Sequence, residues 1–333
     1  MKIAVDAMGG DYAPEEIVKG AVQAAEENIA EIILVGDKEA IARHLPSNRA
    51  GSRIEIVHAA QVVDMDEPPA VALRRKKDTS IATATRLVKE GKADAVISAG
   101  STGAQMAAAH IILGRIKGIQ RPAIATVFPT RRGAKLILDV GANADCKPQH
   151  LVEFALMGSI YAEKILEISH PKVGLLNIGT EETKGNELTQ TAYRLLKESS
   201  LNFAGNVEAR DIPSGIVDVV VCDGFVGNVV LKFAEGLAGE MLELIKQHLA
   251  QSLITRLGAA LAFPALKRIK KIMDYTEYGG APLLGVEGVS IICHGSSKAK
   301  EIRNAIKGAA RGVESRYVER IREFVAKGEG ADA

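Results

Sequence analysis

The residues best suited to chemistry on anions sit in glycine-rich loops. Leu176–Glu187, LNIGTEETKGNE, combines Gly179, Glu181, Glu182, Thr183, Lys184, Gly185 and Asn186. A lysine bounded by glycines offers a movable ammonium for a phosphate or a developing oxyanion. The same stretch reads equally as a surface loop with a helix N-terminus at Thr183 or Asn186. CDGFVGN, Cys222–Asn228, sets Asp223, Gly224, Gly227 and Asn228 just ahead of a long helix, as a nest of N–H groups with an Asx cap. Three further loops supply Gly9, Gly10 and Asp11 (DAMGGD), Ser101, Thr102 and Gly103 (SAGSTG), and Asn143 (DVGAN). His294, in CHGSS, is the histidine that follows a strand-like run. Small residues let backbone approach a ligand, and helix starts aim N–H groups at anions. The expected site is therefore a phosphate-binding cleft.

Other chemistries lack their motifs. GxxxxGK[ST], GxGxxG, GxSxG and HExxH do not occur, and no histidines pair at metal spacing. Cys146, Cys222 and Cys293 form no CxxC, and structural thiols are expected. Neither cofactor nor metal is expected.

The elements that must position these loops follow one pattern. An aliphatic run ends in Gly, Asx, Ser or Thr, and a helical stretch follows. The runs are Ile3–Val5, Ile32–Val35, Ala95–Ile97, Leu136–Leu138, Val173–Leu176, Val217–Val221 and Val289–Ile292. They lack polar alternation, as strands buried on both faces do. Helices are predicted after Pro14 and over Thr102–Gly114, Gln149–Leu166 and Glu187–Lys197. Such alternation predicts a doubly wound α/β fold whose strand-end loops line one crevice. Residues 1–330 read as one large α/β unit, and residues 328–333 as a frayed tail.

Composition agrees. The 333 residues are 47% apolar and 25% charged, with a net charge of +1 and no Trp. No whole-chain attraction to nucleic acid follows, and base-stacking platforms are disfavoured. No apolar run reaches about 18 residues, and the N-terminus lacks a signal-peptide core, so a cytoplasmic setting is expected.

Residues 228–275 read as a projecting helical arm. A helix is predicted from Asn228 to about Arg256, with Val230, Phe233, Leu237, Met241 and Leu244 on one stripe. Burying that stripe against a second copy is the simplest outcome. The uncharged Leu257–Leu266 follows, carrying Leu257, Leu261, Phe263 and Leu266, and then the basic run Lys267–Lys271. This reads either as a tip that lies on an anionic membrane surface or as a buried helix hairpin. Arg74–Lys77 is a second basic run, suited to an acidic partner or a solvated face.

AVDAMGGD (4–11), ISAGSTGA (97–104), GRIKGIQRPAIA (114–125), LDVGANAD (138–145), LLNIGTEETKGNELT (175–189), FAGNVEARD (203–211), VCDGFVGNV (221–229), YGGAPLLG (278–285) and HGSS (294–297) together resemble the PlsX family of acyl-ACP:phosphate acyltransferases. The resemblance runs from residue 1 to about 320. It implies a three-layer α/β/α fold with a mainly parallel sheet, similar to isocitrate/isopropylmalate dehydrogenases and phosphotransacetylases, in a homodimer. The implied reaction is reversible transfer of a fatty acyl group from acyl carrier protein to inorganic phosphate. Its acyl phosphate would feed a membrane glycerol-3-phosphate acyltransferase in phospholipid synthesis. The resemblance further implies a cytoplasmic, peripherally membrane-associated enzyme, and it maps the family's reactive-loop lysine and helix-start asparagine onto Lys184 and Asn228. A phosphotransacetylase using acyl-CoA, a hydroxyacid dehydrogenase and a non-enzymatic lipid sensor remain alternatives.

Overall fold

Strands buried on both faces need helices above and below, and the chain supplies both layers. The computed structural model describes residues 1–46, 53–63, 67–273 and 279–329. Its strands are β1 (Lys2–Asp6), β2 (Glu31–Gly36), β3 (Ile54–His58), β4 (Ala95–Ser98), β5 (Ala123–Thr130), β6 (Gly133–Leu138), β7 (Val173–Asn177), β8 (Phe203–Glu208), β9 (Val219–Val221), β10 (Ala281–Leu284) and β11 (Val289–Ile292). The helices are α1 (Glu15–Glu26), α2 (Lys38–His44), α3 (Pro69–Arg75), α4 (Ser80–Lys89), α5 (Thr102–Ala108), α6 (Pro148–Ile165), α7 (Glu187–Glu198), α8 (Gly224–Leu249), α9 (Leu253–Met273), α10 (Ala299–Ser315) and α11 (Tyr317–Glu329). A π-helical turn, Ala109–Leu113, extends α5.

One sheet joins all these strands in the order β3-β2-β1-β4-β11-β10-β5-β6-β9-β7-β8. Alternate side chains go to opposite faces. Ile3, Val5, Ile97, Ala125, Leu138 and Val221 pack with α1, α6 and α10. On the other face, Ala4, Ile33 and Val96 pack with α4 and α5. There Ile124, Ile137, Val220 and Ile292 form a separate cluster with Val230 and Leu231 of α8. The result is three layers, as expected.

Strand direction departs from the single rim that the runs suggested. β3, β2, β1, β4 and β11 are mutually parallel, and so are β6, β9, β7 and β8. Between them lie three antiparallel steps, β11–β10, β10–β5 and β5–β6. An odd number of reversals makes the two parallel blocks run in opposite directions. Their carboxyl ends still meet. Ile97 faces Ile291 and Ile291 faces Pro282; on the other side Ala125 faces Leu138 and Leu138 faces Val221. Both blocks thus end near one transverse row, and strand-end loops of both converge on the β10–β5 seam.

The arm also differs from its expected outline. α8 starts at Gly224, four residues ahead of Asn228, because the Asp223 carboxylate caps it by accepting the Val226 N–H (2.9 Å). It stops at Leu249 rather than near Arg256, and α9 carries the chain on through Leu257–Leu266 with Pro264 inside it. At ~1.5 Å per residue α8 is about 40 Å long. Phe225, Val229, Phe233, Leu237, Met241 and Leu244 are all exposed along it. Leu257, Leu261 and Phe263 are exposed as well, and Leu266 is half-buried. A hairpin is present, but its apolar residues are not buried within the chain. Residues 274–275 of the expected arm and most of the expected tail, residues 330–333, lie outside the described residues, as do the side chains of Lys270 and Lys271. Among the described residues no helix is long and apolar enough to cross a membrane.

One packing detail gives a pH expectation. His150, 5% exposed in the first turn of α6, accepts the Lys147 N–H at Nδ1 (3.1 Å). Burial lowers its pKa below the ordinary 6.5, helped by Arg121 and Lys147. The folded state prefers the neutral ring, so the unfolded chain binds the extra proton first as pH falls. This contribution is complete above the ordinary imidazole range and shrinks as pH drops through it. Thermal midpoints of His150→Gln and the parent, compared at pH 7.5 and 5.5, should show a smaller acid loss in the variant.

Candidate active site

Each block ends in a buried aspartate that organises its loop. At the end of β1, Asp6 is 3% exposed and accepts the Ser98 hydroxyl (2.7 Å) and the Met8 N–H (3.2 Å). Burial pushes its pKa up, and the hydroxyls of Ser80 and Ser98 pull it back. A Cβ on Gly9 would lie 2.6 Å from Asp6 Oδ2 and 2.7 Å from Gly100 N, so glycine is needed where the β1 and β4 loops touch. The Asp11 N–H then donates to the Gly295 carbonyl (2.8 Å), tying in the loop after β11.

After β6, fully buried Asp139 plays the matching part. Its Oδ1 accepts N–H groups from Ile124 (3.2 Å), Gly141 (3.1 Å) and Ala142 (2.9 Å). Oδ2 accepts the Asn143 N–H (2.7 Å) and side-chain amide (2.8 Å). Burial raises its pKa against the pull of these donors. The same Asn143 amide donates to the Pro122 carbonyl (2.7 Å), and the Asn143 carbonyl accepts the Gly224 N–H (2.8 Å). α8 therefore sits directly on the Asp139 loop. At Gly227 an added Cβ would lie 1.9 Å from the Asp139 carbonyl oxygen.

This seating carries Asn228 over the seam. A Cβ on Gly141 would lie 3.8 Å from Asn228 Cγ. Beneath α8 opens a cavity of about 460 Å³, within the usual range for small-molecule sites. Ile124, Val140, Leu231, Ala281 and Ile292 make its apolar walls; Thr102, Asn228, His294, Ser296 and Ser297 bring polar groups. The Ser296 N–H donates to His294 Nδ1 (3.2 Å). That bond makes Nδ1 an acceptor and leaves the neutral ring's proton on Nε2. Cys293 also lines the cavity, but burial pushes its thiol up to about 12, and Cys146 is pushed equally high. Neither offers a ready thiolate near neutral pH.

The structure sorts the expected residues into four groups. Thr102, Asn228 and His294 line the cavity. Asn143, Asp223 and Gly227 stand behind its wall, where they bridge, cap and make room for α8. Gly9 and Ser101 border a recess of about 10 Å³ beside Asp6 and Ser98, enough for about one water molecule. Gly10, with φ +118°, shapes the same turn, and Gly103 abuts Pro69 of α3, its added Cβ falling 2.8 Å from Pro69 Cγ.

Thr183, Lys184 and Asn186 lie elsewhere, in the exposed loop after β7, two places from β6 in the sheet. Asn186 caps α7 by accepting the Thr189 N–H (3.0 Å). Backbone carbonyls hold the loop, with Asn177 Nδ2 donating to Lys184 O (3.1 Å) and Gln190 Nε2 to Thr183 O (2.8 Å). The Lys184 stem lies over Gly179; Lys184 is not a wall of the cavity. Sequence reasoning also passed over Asp139 and the wall residues Gly141, Lys232, Glu235, Ser296, Ser297 and Glu301. Lys232 and Glu235 had a readable signal, since they follow Asn228 at helical spacings of four and seven. Among the described residues no cluster of three or more His, Cys, Asp or Glu is placed to hold a metal.

A family model described as "Fatty acid synthesis protein" matches residues 1–320. Phosphate acyltransferase of Desulfitobacterium hafniense (strain Y51) is 63% identical over 324 residues, covering 97% of each chain. The chain belongs to the PlsX family. A second member, phosphate acyltransferase of Moorella thermoacetica, is 63% identical over 311 residues, 93% of this chain and 92% of that one. Solved structures extend the likeness at the level of fold. EutD phosphotransacetylase from Staphylococcus aureus superimposes with a TM-score of 0.63 at 17% identity, and a phosphotransacetylase from Streptococcus pyogenes with 0.62 at 21%. Each match covers 94% of both chains. This PlsX chain therefore shares the three-layer architecture of the phosphotransacetylases.

Proposed function

We propose that the chain transfers a fatty acyl group from acyl carrier protein to inorganic phosphate in the cavity under α8. The observation that carries this, beside family membership, is a single hollow with apolar walls for a chain and neutral donors for an oxyanion. Phosphate is already nucleophilic near neutral pH, and a thioester is already activated, so no nucleotide is needed. A phosphate oxygen attacks the thioester carbonyl, a tetrahedral oxyanion forms, and the C–S bond breaks to release the carrier thiolate, which takes a proton from solvent. The site has to orient two anionic reactants and hold the oxyanion. The Asn228 amide, the His294 Nε2–H and Thr102, which all line the cavity, would be the donors.

The remaining parts of this reading have separate support. The apolar stripe of α8 fits a homodimer, and the exposed Leu257, Leu261 and Phe263 fit an anionic membrane surface beside the membrane glycerol-3-phosphate acyltransferase that would take the product. Such an enzyme would be cytoplasmic and peripheral. The basic Arg74–Lys77 stretch spans the end of α3, whose first residue, Pro69, abuts Gly103, and it offers a docking surface for an acidic carrier. Lys184 belongs to a neighbouring loop, from which a long flexible side chain serves as a second phosphate or oxyanion contact.

The deciding assay follows acyl-ACP consumption with and without phosphate. Phosphate-dependent loss of acyl-ACP with appearance of acyl phosphate is the expected result; loss of thioester without phosphate dependence contradicts the assignment. Acyl-CoA run in parallel separates a carrier-protein enzyme from a coenzyme A enzyme. Lys184→Ala is expected to lower turnover by ~10² or more with the fold retained, and near-normal turnover would remove it from the mechanism.

A further inference from the structure

Lys232 follows Asn228 by one helical turn and lines the same cavity. Residues four apart on a helix share a face, so α8 presents the amide and the ammonium together. Among the described lining residues Lys232 is the one lysine or arginine, whereas two carboxylates, Glu235 and Glu301, line the cavity too. Glu301 is already engaged, accepting the Lys298 N–H (3.0 Å) at the start of α10. Glu235 Oε2 lies 3.0 Å from Lys232 Nζ, with the glutamate side chain 23% exposed and the lysine 52%. A hollow carrying two carboxylates repels a phosphate dianion unless a cation offsets them.

We propose that Lys232 is the phosphate-binding cation of this site, and that Glu235 holds its ammonium at the cavity wall until phosphate enters. This rests on the reading of the cavity as an acyl-to-phosphate transfer site. On entry the ammonium turns from Glu235 to the phosphoryl oxygens, which its four-carbon stem permits without moving α8. Phosphate is then anchored one turn from the Asn228 amide, where the thioester carbonyl is polarised. The same contact would hold the phosphoryl group of the acyl phosphate in the reverse direction.

Two measurements separate this inference from the reading it rests on. The first is the apparent KM for phosphate and for acyl-ACP in Lys232→Met, Lys232→Arg and Glu235→Gln. The second is binding of inorganic phosphate alone, by titration calorimetry, to the same proteins without acyl donor. Lys232→Met is expected to raise both the KM and the Kd for phosphate roughly 10- to 100-fold, the loss of one charge-assisted contact, with KM for acyl-ACP within about twofold. Lys232→Arg should recover most of the phosphate affinity, and Glu235→Gln, which frees the ammonium, should leave it equal or tighter. A purely structural ion pair would make Glu235→Gln and Lys232→Met behave alike. An active parent enzyme whose Lys232→Met variant keeps its KM and Kd for phosphate overturns the inference alone. A parent that binds phosphate through Lys232 but leaves acyl-ACP untouched overturns the transfer reading and leaves the phosphate site standing.

Discussion

Asn228→Ala is expected to lower turnover by ~10² to 10³ with little change in stability. The side chain is exposed on α8, makes no hydrogen bond among the described residues, and faces the cavity beside Gly141. Its removal costs the fold no buried contact. A donor that meets only a developing oxyanion works in the transition state and contributes little to ground-state binding. The signature is therefore a fall in kcat with KM for acyl-ACP nearly constant. Asn228→Asp should be at least as damaging, because it replaces a donor with an anion. Unfolding midpoints equal to the parent's would assign the loss to chemistry, and parental turnover in Asn228→Ala would remove this residue from the oxyanion site.

The second large effect is on stability. Gly227→Ala places a methyl group 1.9 Å from the Asp139 carbonyl oxygen, a backbone atom fixed by the loop it belongs to. No rotamer relieves that contact, so α8 must lift away. Lifting it strains the Gly224 N–H to Asn143 O bond and moves Asn228 off the cavity. A destabilisation of about 3 kcal/mol or more, with near-complete loss of activity, is expected. Gly236, farther along the same helix, supplies the contrast, because a Cβ there meets nothing within 4 Å. Gly236→Ala should stabilise the helix by ~0.5 to 1 kcal/mol. Urea unfolding of both variants beside the parent checks the pair, and a Gly227→Ala protein of parental stability would refute the packing argument.

The strands most legible in sequence were those buried on both faces, because they lack polar alternation. The missed ones carry local contradictions that neighbours override. Glu55 interrupts β3, Pro129 sits in β5, Gly205 and Asn206 break β8, and Pro282 sits in β10. β3 and β8 are sheet edges, and β10 and β5 form the antiparallel seam. Missing that seam had a functional consequence. With all strands taken as parallel, every strand-end loop belongs to one crevice, and Lys184 joins Asn228 by default. The reversal at β10 and β5 instead selects Thr102, His294 and Asn228 for the hollow and leaves the Lys184 loop beyond β9. Asp139 escaped notice because an aspartate after a strand usually just caps a turn; nothing local marks it as the buried carboxyl on whose loop α8 rests.

β11 enters the sheet between β4 and β10 although nearly 200 residues separate it from β4. During synthesis from the N-terminus, the flank of β4 has no neighbour on that side until Val289–Ile292 has left the ribosome. His294 and the α10 layer arrive with the same segment. The nascent chain therefore carries a bare hydrogen-bonding edge through most of its translation, which makes it a natural client for chaperones. Chains that stop before Val289 would lack β11 and His294 together, and such truncated products are expected to be inert rather than partly active.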